Sequence, residues 1–334
     1  MRLVLKGLLA GTAVCGLISG TAAFALKADA GRSVPAIDVA LEGRPHDFLF
    51  GLSFEGAKGV SVGSHGALFT TEDGGDNWAR SGTTLPQTAF LTVKTKSGRC
   101  IAAGQQGAIV RSTDCANWEV VPPVSDARLF SVDVNRSGLA VTVGEFGTVL
   151  ISQDWGKTWQ ALSLDWLTLT DQTAEPHLYS VHVGDDGSVI IGGEFELILK
   201  SDSGGQQWHV QHKGKRSVFG IAVSPGGKMI AVGQEGLILS SADRGTTWME
   251  VPSGTKAILT GVWIGADERK VVAVGVRAML FSNDGGNSFA ATTADAAIEG
   301  LHSSVFGQRT ASGEDIAYVA GGSGRILRVN MSKQ

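Results

Sequence analysis

Short apolar runs bounded by turn residues, rather than helical stripes, organise the 334-residue chain; ILTGVWI and KVVAVG, for example, each stop at a glycine. Runs of this length with such boundaries predict β-strands, and few windows space apolar residues as an amphipathic helix requires. The runs come in a fixed order. First stands an aromatic or apolar residue, a small residue and an aliphatic one: FGL at 50–52, LTV at 91–93, FSV at 130–132, YSV at 179–181, FGI at 219–221, and more loosely TGV at 260–262 and SSV at 303–305. Next comes a segment of the form VGxxGxIL, with leading glycines at 63, 104, 144, 193, 233, 275 and 321. After the first six a polar turn closes on an aromatic: TTEDGGDNW, STDCANW, SQDWGKTW, SDSGGQQW, SADRGTTW and SNDGGNSF. The closing residues Trp78, Trp118, Trp159, Trp208, Trp248 and Phe289 are spaced 40, 41, 49, 40 and 41 apart.

One unit is therefore copied seven times. Four short strands in a repeat of roughly 40 residues match a β-propeller blade, whose faces are buried only by stacking on neighbours. The expected fold is all-β, a seven-bladed β-propeller filling residues 31–334 as one domain. The first strand of a blade runs nearest the axis, so Gly51, Thr92, Ser131, Ser180, Gly220, Gly261 and Ser304 have a steric reason to be small. The seventh unit ends after its third strand, since only VNMSKQ follows Arg328. AIDVAL at 36–41 has strand alternation and is expected to complete blade seven and close the ring, protecting two edges.

Composition adds three points. Glycine supplies 46 residues, about twice the usual ~7%, consistent with many tight turns. Residues 1–30 carry Arg2 and Lys6, an apolar stretch from Leu8 to Ala25, and small residues at 23–25 and 28–30, the layout of a secretory signal peptide. Export to the periplasm, or to an equivalent of the thylakoid lumen, is expected; the rival is an uncleaved anchor that keeps the chain on a membrane. Cys15 is not preceded by the leucine of a lipobox. Cleavage would leave 25 basic residues against 31 acidic ones, so no nucleic-acid surface is expected.

The pattern Ser/Thr-x-Asp-x-Gly-x-Thr/Ser/Asn-Trp resembles the Asp-box, or BNR, repeat of bacterial sialidases. Its alternation with VGxxGxIL units over residues 35–330 is similar to the photosystem II assembly/stability-factor propeller family. That resemblance implies a non-enzymatic assembly or stability factor, a protein-binding scaffold, with photosystem II subunits as partners if the host is photosynthetic. Another envelope complex, such as a transporter, is the expected partner otherwise. In each Asp turn the carboxylate can accept turn N–H groups while glycine supplies positive φ and Trp packs beneath. Asp73, Asp114, Asp154, Asp243 and Asp284 are thus expected to stabilise turns. A catalytic or calcium role needs a unique acid or converging oxygens, which repetition on separate blades does not provide. No cofactor or metal is expected, and the chain is expected to be monomeric.

Two copies deviate. SDSGGQQW has Ser203 in place of the Asp, and STDCANW is one residue short, with Cys115 in the turn. If GQQG is the preceding hairpin, Cys100 lies opposite Arg111 and near Cys115, and export favours a disulfide between them; two separate buried thiols are the rival.

The alternative function is a sialidase-like glycoside hydrolase or carbohydrate-binding propeller. A sialidase needs an arginine cluster, a tyrosine nucleophile and supporting acids. The chain has two tyrosines, Tyr179 at a strand position occupied by Phe elsewhere and Tyr318 in a second-strand run, and both are expected to be packing residues. No nucleophile elbow, phosphate loop or metal-spaced His/Cys set appears. Attention moves to the variable turns. Glu145-Phe146 and Glu194-Phe195 lie on adjacent blades, and between them the long insertion ALSLDWLTLTDQTAEPH carries Trp166. Aromatics clustered with acids suit a protein contact, with Phe146, Phe195 and Trp166 as anchors and Glu145 and Glu194 at the rim. The rival is that the phenylalanines fold back over their own hairpins.

Overall fold

A computed structural model describes residues 35–83, 85–170, 174–310 and 312–332; the expected signal peptide and Cys15 lie outside the described residues. Seven four-stranded antiparallel sheets follow one another along the chain. Blade 3 is representative, with strands Leu129–Val134, Ala140–Gly144, Val149–Ser152 and Gln160–Ala161 from axis to rim. Blade 7 takes His302–Arg309, Asp315–Gly321 and Ile326–Asn330 from the end of the chain and its outermost strand, Ala36–Leu41, from the beginning. That last strand runs antiparallel to Ile326–Asn330, pairing Ala36 with Asn330 and Leu41 with Ile326. The fold is the seven-bladed propeller that the repeat predicts, closed by its N-terminal strand.

The second strands explain their own composition. Ala140–Gly144, Met229–Gly233 and Val271–Gly275 are buried at every position, because a blade interior is covered on both faces by its neighbours. Alternation is therefore lost and continuous Val/Ile/Ala runs appear. Each fully buried Val, Leu or Ile contributes about 1.5–3 kcal/mol relative to exposure.

The first strands surround the axis, and small residues there do more than save space. The hydroxyls of Thr92, Ser131 and Ser180 accept the N–H groups of Val132, Val181 and Ile221 on the next blade, at 3.2, 3.2 and 3.1 Å. Where no hydroxyl is used, close approach dominates: a Cβ on Gly51 would sit 2.8 Å from the amide nitrogen of Val93. Every first strand also carries a register shift at its second residue, as between Leu129 and Ser131. Such bulges redirect a side chain. In this fold the residues set aside by the shift are Phe50, Leu91, Phe130, Tyr179, Phe219, Thr260 and Ser303, and all of them line an axial cavity of about 160 Å³.

Candidate protein-binding face

The Asp turns are self-contained. In blade 1, Thr71 Oγ1 donates to Asp73 Oδ1 at 2.8 Å and accepts the Gly75 N–H at 3.0 Å. Asp73 accepts the Asn77 backbone N–H at 2.9 Å and its side-chain amide at 2.7 Å. Asp154, Asp243 and Asp284 repeat this with Thr158, Thr247 and Ser288. Asp114, in the shorter turn, takes the N–H groups of Ala116 and Asn117 and the Asn117 side chain. Ser203 keeps one such bond, from the Gln207 N–H at 2.8 Å. These donors hold the carboxyls low. Asp73 falls to about 2, mainly through the Asn77 backbone and side chain, and Asp243 to about 2 through the Thr247 hydroxyl and N–H. The indole N–H groups of Trp159, Trp208 and Trp248 donate to turn carbonyls at 3.0 Å. Each carboxylate is thus engaged by its own hairpin, and among the described residues no three His, Cys, Asp or Glu side chains gather as a metal site.

A disulfide joins Cys100 and Cys115. The register differs from the sequence expectation: Cys100 faces Ser112, and Arg111 faces Ile101. The hairpin takes in Ala108 as well, closed by the Gly104 N–H on the Ala108 carbonyl, so the pairing moves by one residue.

The opposite end of the disc carries the seven VGxxG hairpins and the connections between blades. In all seven hairpins the residue two positions after the leading glycine is left-handed although none is glycine: His65, Gln106, Phe146, Phe195, Glu235, Arg277 and Ser323 have φ between 49° and 60°. That conformation is tolerable for Asn and unusual for a bulky side chain. Phe146 is nevertheless 64% exposed and Phe195 37%. Their acidic neighbours are occupied. Glu145 accepts the Arg128 N–H at 3.2 Å and pairs with its guanidinium at 3.5 Å, while Glu194 accepts the His177 N–H at 2.9 Å. Both carboxylates, expected at the rim of a contact, therefore also fasten a hairpin to the preceding connection.

Trp166 corrects the sequence reading. It is only 7% exposed and packs into the core with Val149, Leu178 and Leu197, beneath the Glu145-Phe146 hairpin. The indole lies so close to Gly147 that a Cβ there would run into it, and Gly147 has φ 64°. Trp166 thus supports the hairpin instead of anchoring a partner. Leu162, Leu164 and Trp166 alternate inward, a two-residue period present in ALSLDW; the exposed apolar residue of the insertion is Leu167, at 59%. Residues 171–173 of the insertion lie outside the described residues.

Tyr179 packs, as expected, with its ring 5.2 Å from Phe130 and 4.8 Å from Phe219, and it does so at the mouth of the axial cavity. Burial, then Glu194 and Glu145, push its phenol up to about 12. His177 extends the row of rings, 6.2 Å from Tyr179 and 4.8 Å from Phe146, and its Nδ1 accepts the Phe146 N–H at 3.1 Å. Tyr318, by contrast, is fully buried, with its ring 4.9 Å from that of Phe54.

Asp133 lies in no motif of the sequence. Buried near the axis, it accepts the Val183 N–H at 2.9 Å and pairs with Lys94 at 3.2 Å and His182 at 3.2 Å, joining blades 2, 3 and 4. Desolvation works to raise its pKa, yet Lys94 and His182 hold it well below the ordinary carboxylate range.

No protein-family model and no curated protein sequence matches the chain. Solved structures do. "YCF48 from Cyanidioschyzon merolae" superposes with a TM-score of 0.70 at 18% identity, covering 90% of this chain and 100% of that one. "YCF48 bound to D1 peptide" superposes with a TM-score of 0.69 at 18% identity, covering 89% of this chain and 99% of that one. At this identity the likeness is one of fold.

Proposed function

We propose that this propeller is an exported, non-enzymatic assembly or stability factor that holds a subunit of a membrane or envelope complex on its hairpin face. The observation that carries the proposal is Phe146: a large apolar ring kept exposed in a backbone conformation that opposes it, on the face where Phe195 and Leu167 are also exposed. Strained, exposed aromatics point to contact rather than packing. The fold likeness to a propeller described as bound to a D1 peptide supports a peptide or subunit as partner. Photosystem II is the proposed complex if the host is photosynthetic, and a transporter or other envelope complex if it is not.

A hydrolase is disfavoured on chemical grounds. Tyr179 is the tyrosine at a cavity, but its phenol is pushed away from the ionised form a nucleophile needs, and no arginine is among the residues lining that cavity. The test is a deletion strain complemented with the parent chain or with the Phe146→Asn, Phe195→Asn double variant. Native gels of the membrane fraction should show assembly intermediates accumulating in the deletion and in the double variant, at equal propeller levels. Normal complexes in both strains would refute the proposal.

A further inference from the structure

The axial mouth itself has features that a flat contact face does not need. Phe50, Phe130, Tyr179 and Phe219 stand around one side of the cavity, and Leu91 is the neighbouring apolar residue. No charged side chain lines it, and its volume of about 160 Å³ is several times what one water needs. Aromatic faces are negative at their centres and edges positive, so a ring that turns its face to a ligand in the mouth favours a cation. The nearby carboxylates act in the same direction. Glu194 and Glu145 both push the Tyr179 phenol up, as negative charge near its oxygen does. Arg128 neutralises part of Glu145, but Glu194 is held only by the His177 N–H among the described residues. The row Phe146, His177, Tyr179, Phe219 then leads from the exposed hairpin to the mouth with ring centroids 4.8, 6.2 and 4.8 Å apart.

We infer that the mouth is a subsite for a lysine or arginine side chain on an extended segment of the partner, with an apolar residue of the same segment resting on Phe146. This rests on the scaffold reading and adds the chemistry of what is held: a basic, apolar-flanked peptide. A peptide is favoured over a lipid headgroup because the aromatic row runs sideways from the mouth, giving a chain somewhere to continue.

The chain has two tyrosines, so 3-fluorotyrosine protein reports on the mouth through Tyr179 and on the buried core through Tyr318. Titration with N-acetyl-Gly-Lys-Gly-amide should move the Tyr179 fluorine signal saturably and leave Tyr318 still. The norleucine counterpart should bind about two- to fivefold more weakly, the typical size of an exposed cation–aromatic contact. Glu194→Gln keeps an oxygen for the His177 N–H, and it should weaken the lysine peptide by up to about fivefold without affecting the norleucine one. An equal response to both peptides, or to Glu194→Gln and parent, would overturn the inference. So would tetramethylammonium saturating the signal where the lysine peptide does not, which would indicate a lipid headgroup. If the lysine peptide fails while the deletion strain still accumulates intermediates, the subsite is wrong and the scaffold stands; if it binds and deletion has no effect on assembly, the reverse holds.

Discussion

Replacing Phe146 with Asn separates a contact residue from a packing residue. The ring is 64% exposed, leaving about a third covered. Taking roughly 200 Å² for a buried aromatic, that third is about 70 Å² and is worth about 1.7 kcal/mol at 25 cal/mol per Å². Against this, the residue sits at φ 49°, where a non-glycine residue loses about 1–2 kcal/mol and Asn much less. The two effects nearly cancel, so the variant should unfold in denaturant within about 1 kcal/mol of the parent. Binding should behave differently. A central aromatic contributes about 1–3 kcal/mol at an interface, which is about five- to 150-fold in affinity for the partner subunit. Chemical denaturation and a binding titration on the same preparation decide the matter. A loss of 2 kcal/mol or more in stability with unchanged affinity would show that Phe146 serves only to cover its hairpin.

Three further outcomes are expected. Cys100 and Cys115 should resist a thiol label in the folded protein until reductant is added, and reduction should cost about 3 kcal/mol for a loop of this length; labelling before reduction would contradict the pairing. Asp133→Asn should destabilise by about 2–3 kcal/mol, less than the 3–5 of a fully buried pair because Lys94 and His182 are partly exposed. Since the folded state holds Asp133 below its ordinary pKa, its contribution is complete above about pH 4 and lost as the pH falls further, so parent and variant stabilities should converge in acid. Removing residues 36–41 should leave Ile326–Asn330 as an open edge and give a protease-sensitive or aggregating product; an unchanged melting temperature would contradict closure by that strand.

The blades were legible in the sequence because the information was repeated: the VGxxG turn and the closing aromatic each fix one strand boundary, and the interval between copies fixes the unit. What was not legible depends on single-residue geometry. The bulge that turns Phe50, Phe130, Tyr179 and Phe219 to the axis leaves no trace in a strand's alternation, so the packing of Tyr179 is legible and the cavity it lines is not. Counting GQQG alone as the hairpin sets Cys100 against Arg111, whereas one extra loop residue, Ala108, moves every pair beyond it by one. Trp166 read as exposed because it sits in an insertion, although the alternation of Leu162, Leu164 and Trp166 already pointed it inward. Asp133 was invisible for another reason: Lys94 and His182 lie on the inner strands of neighbouring blades, and only the closed ring brings the three together.

The central claim is that the hairpin face holds a membrane-complex subunit. It is tested most directly by a photo-crosslinking amino acid placed in the native host at Leu167, exposed on that face, and separately at Lys157, exposed in the Asp turn of blade 3 on the opposite face. Illumination should join the Leu167 variant to one subunit of an assembling membrane complex and give no such adduct from Lys157. An adduct from Lys157 alone, or the same subunit captured equally from both positions, would contradict the account.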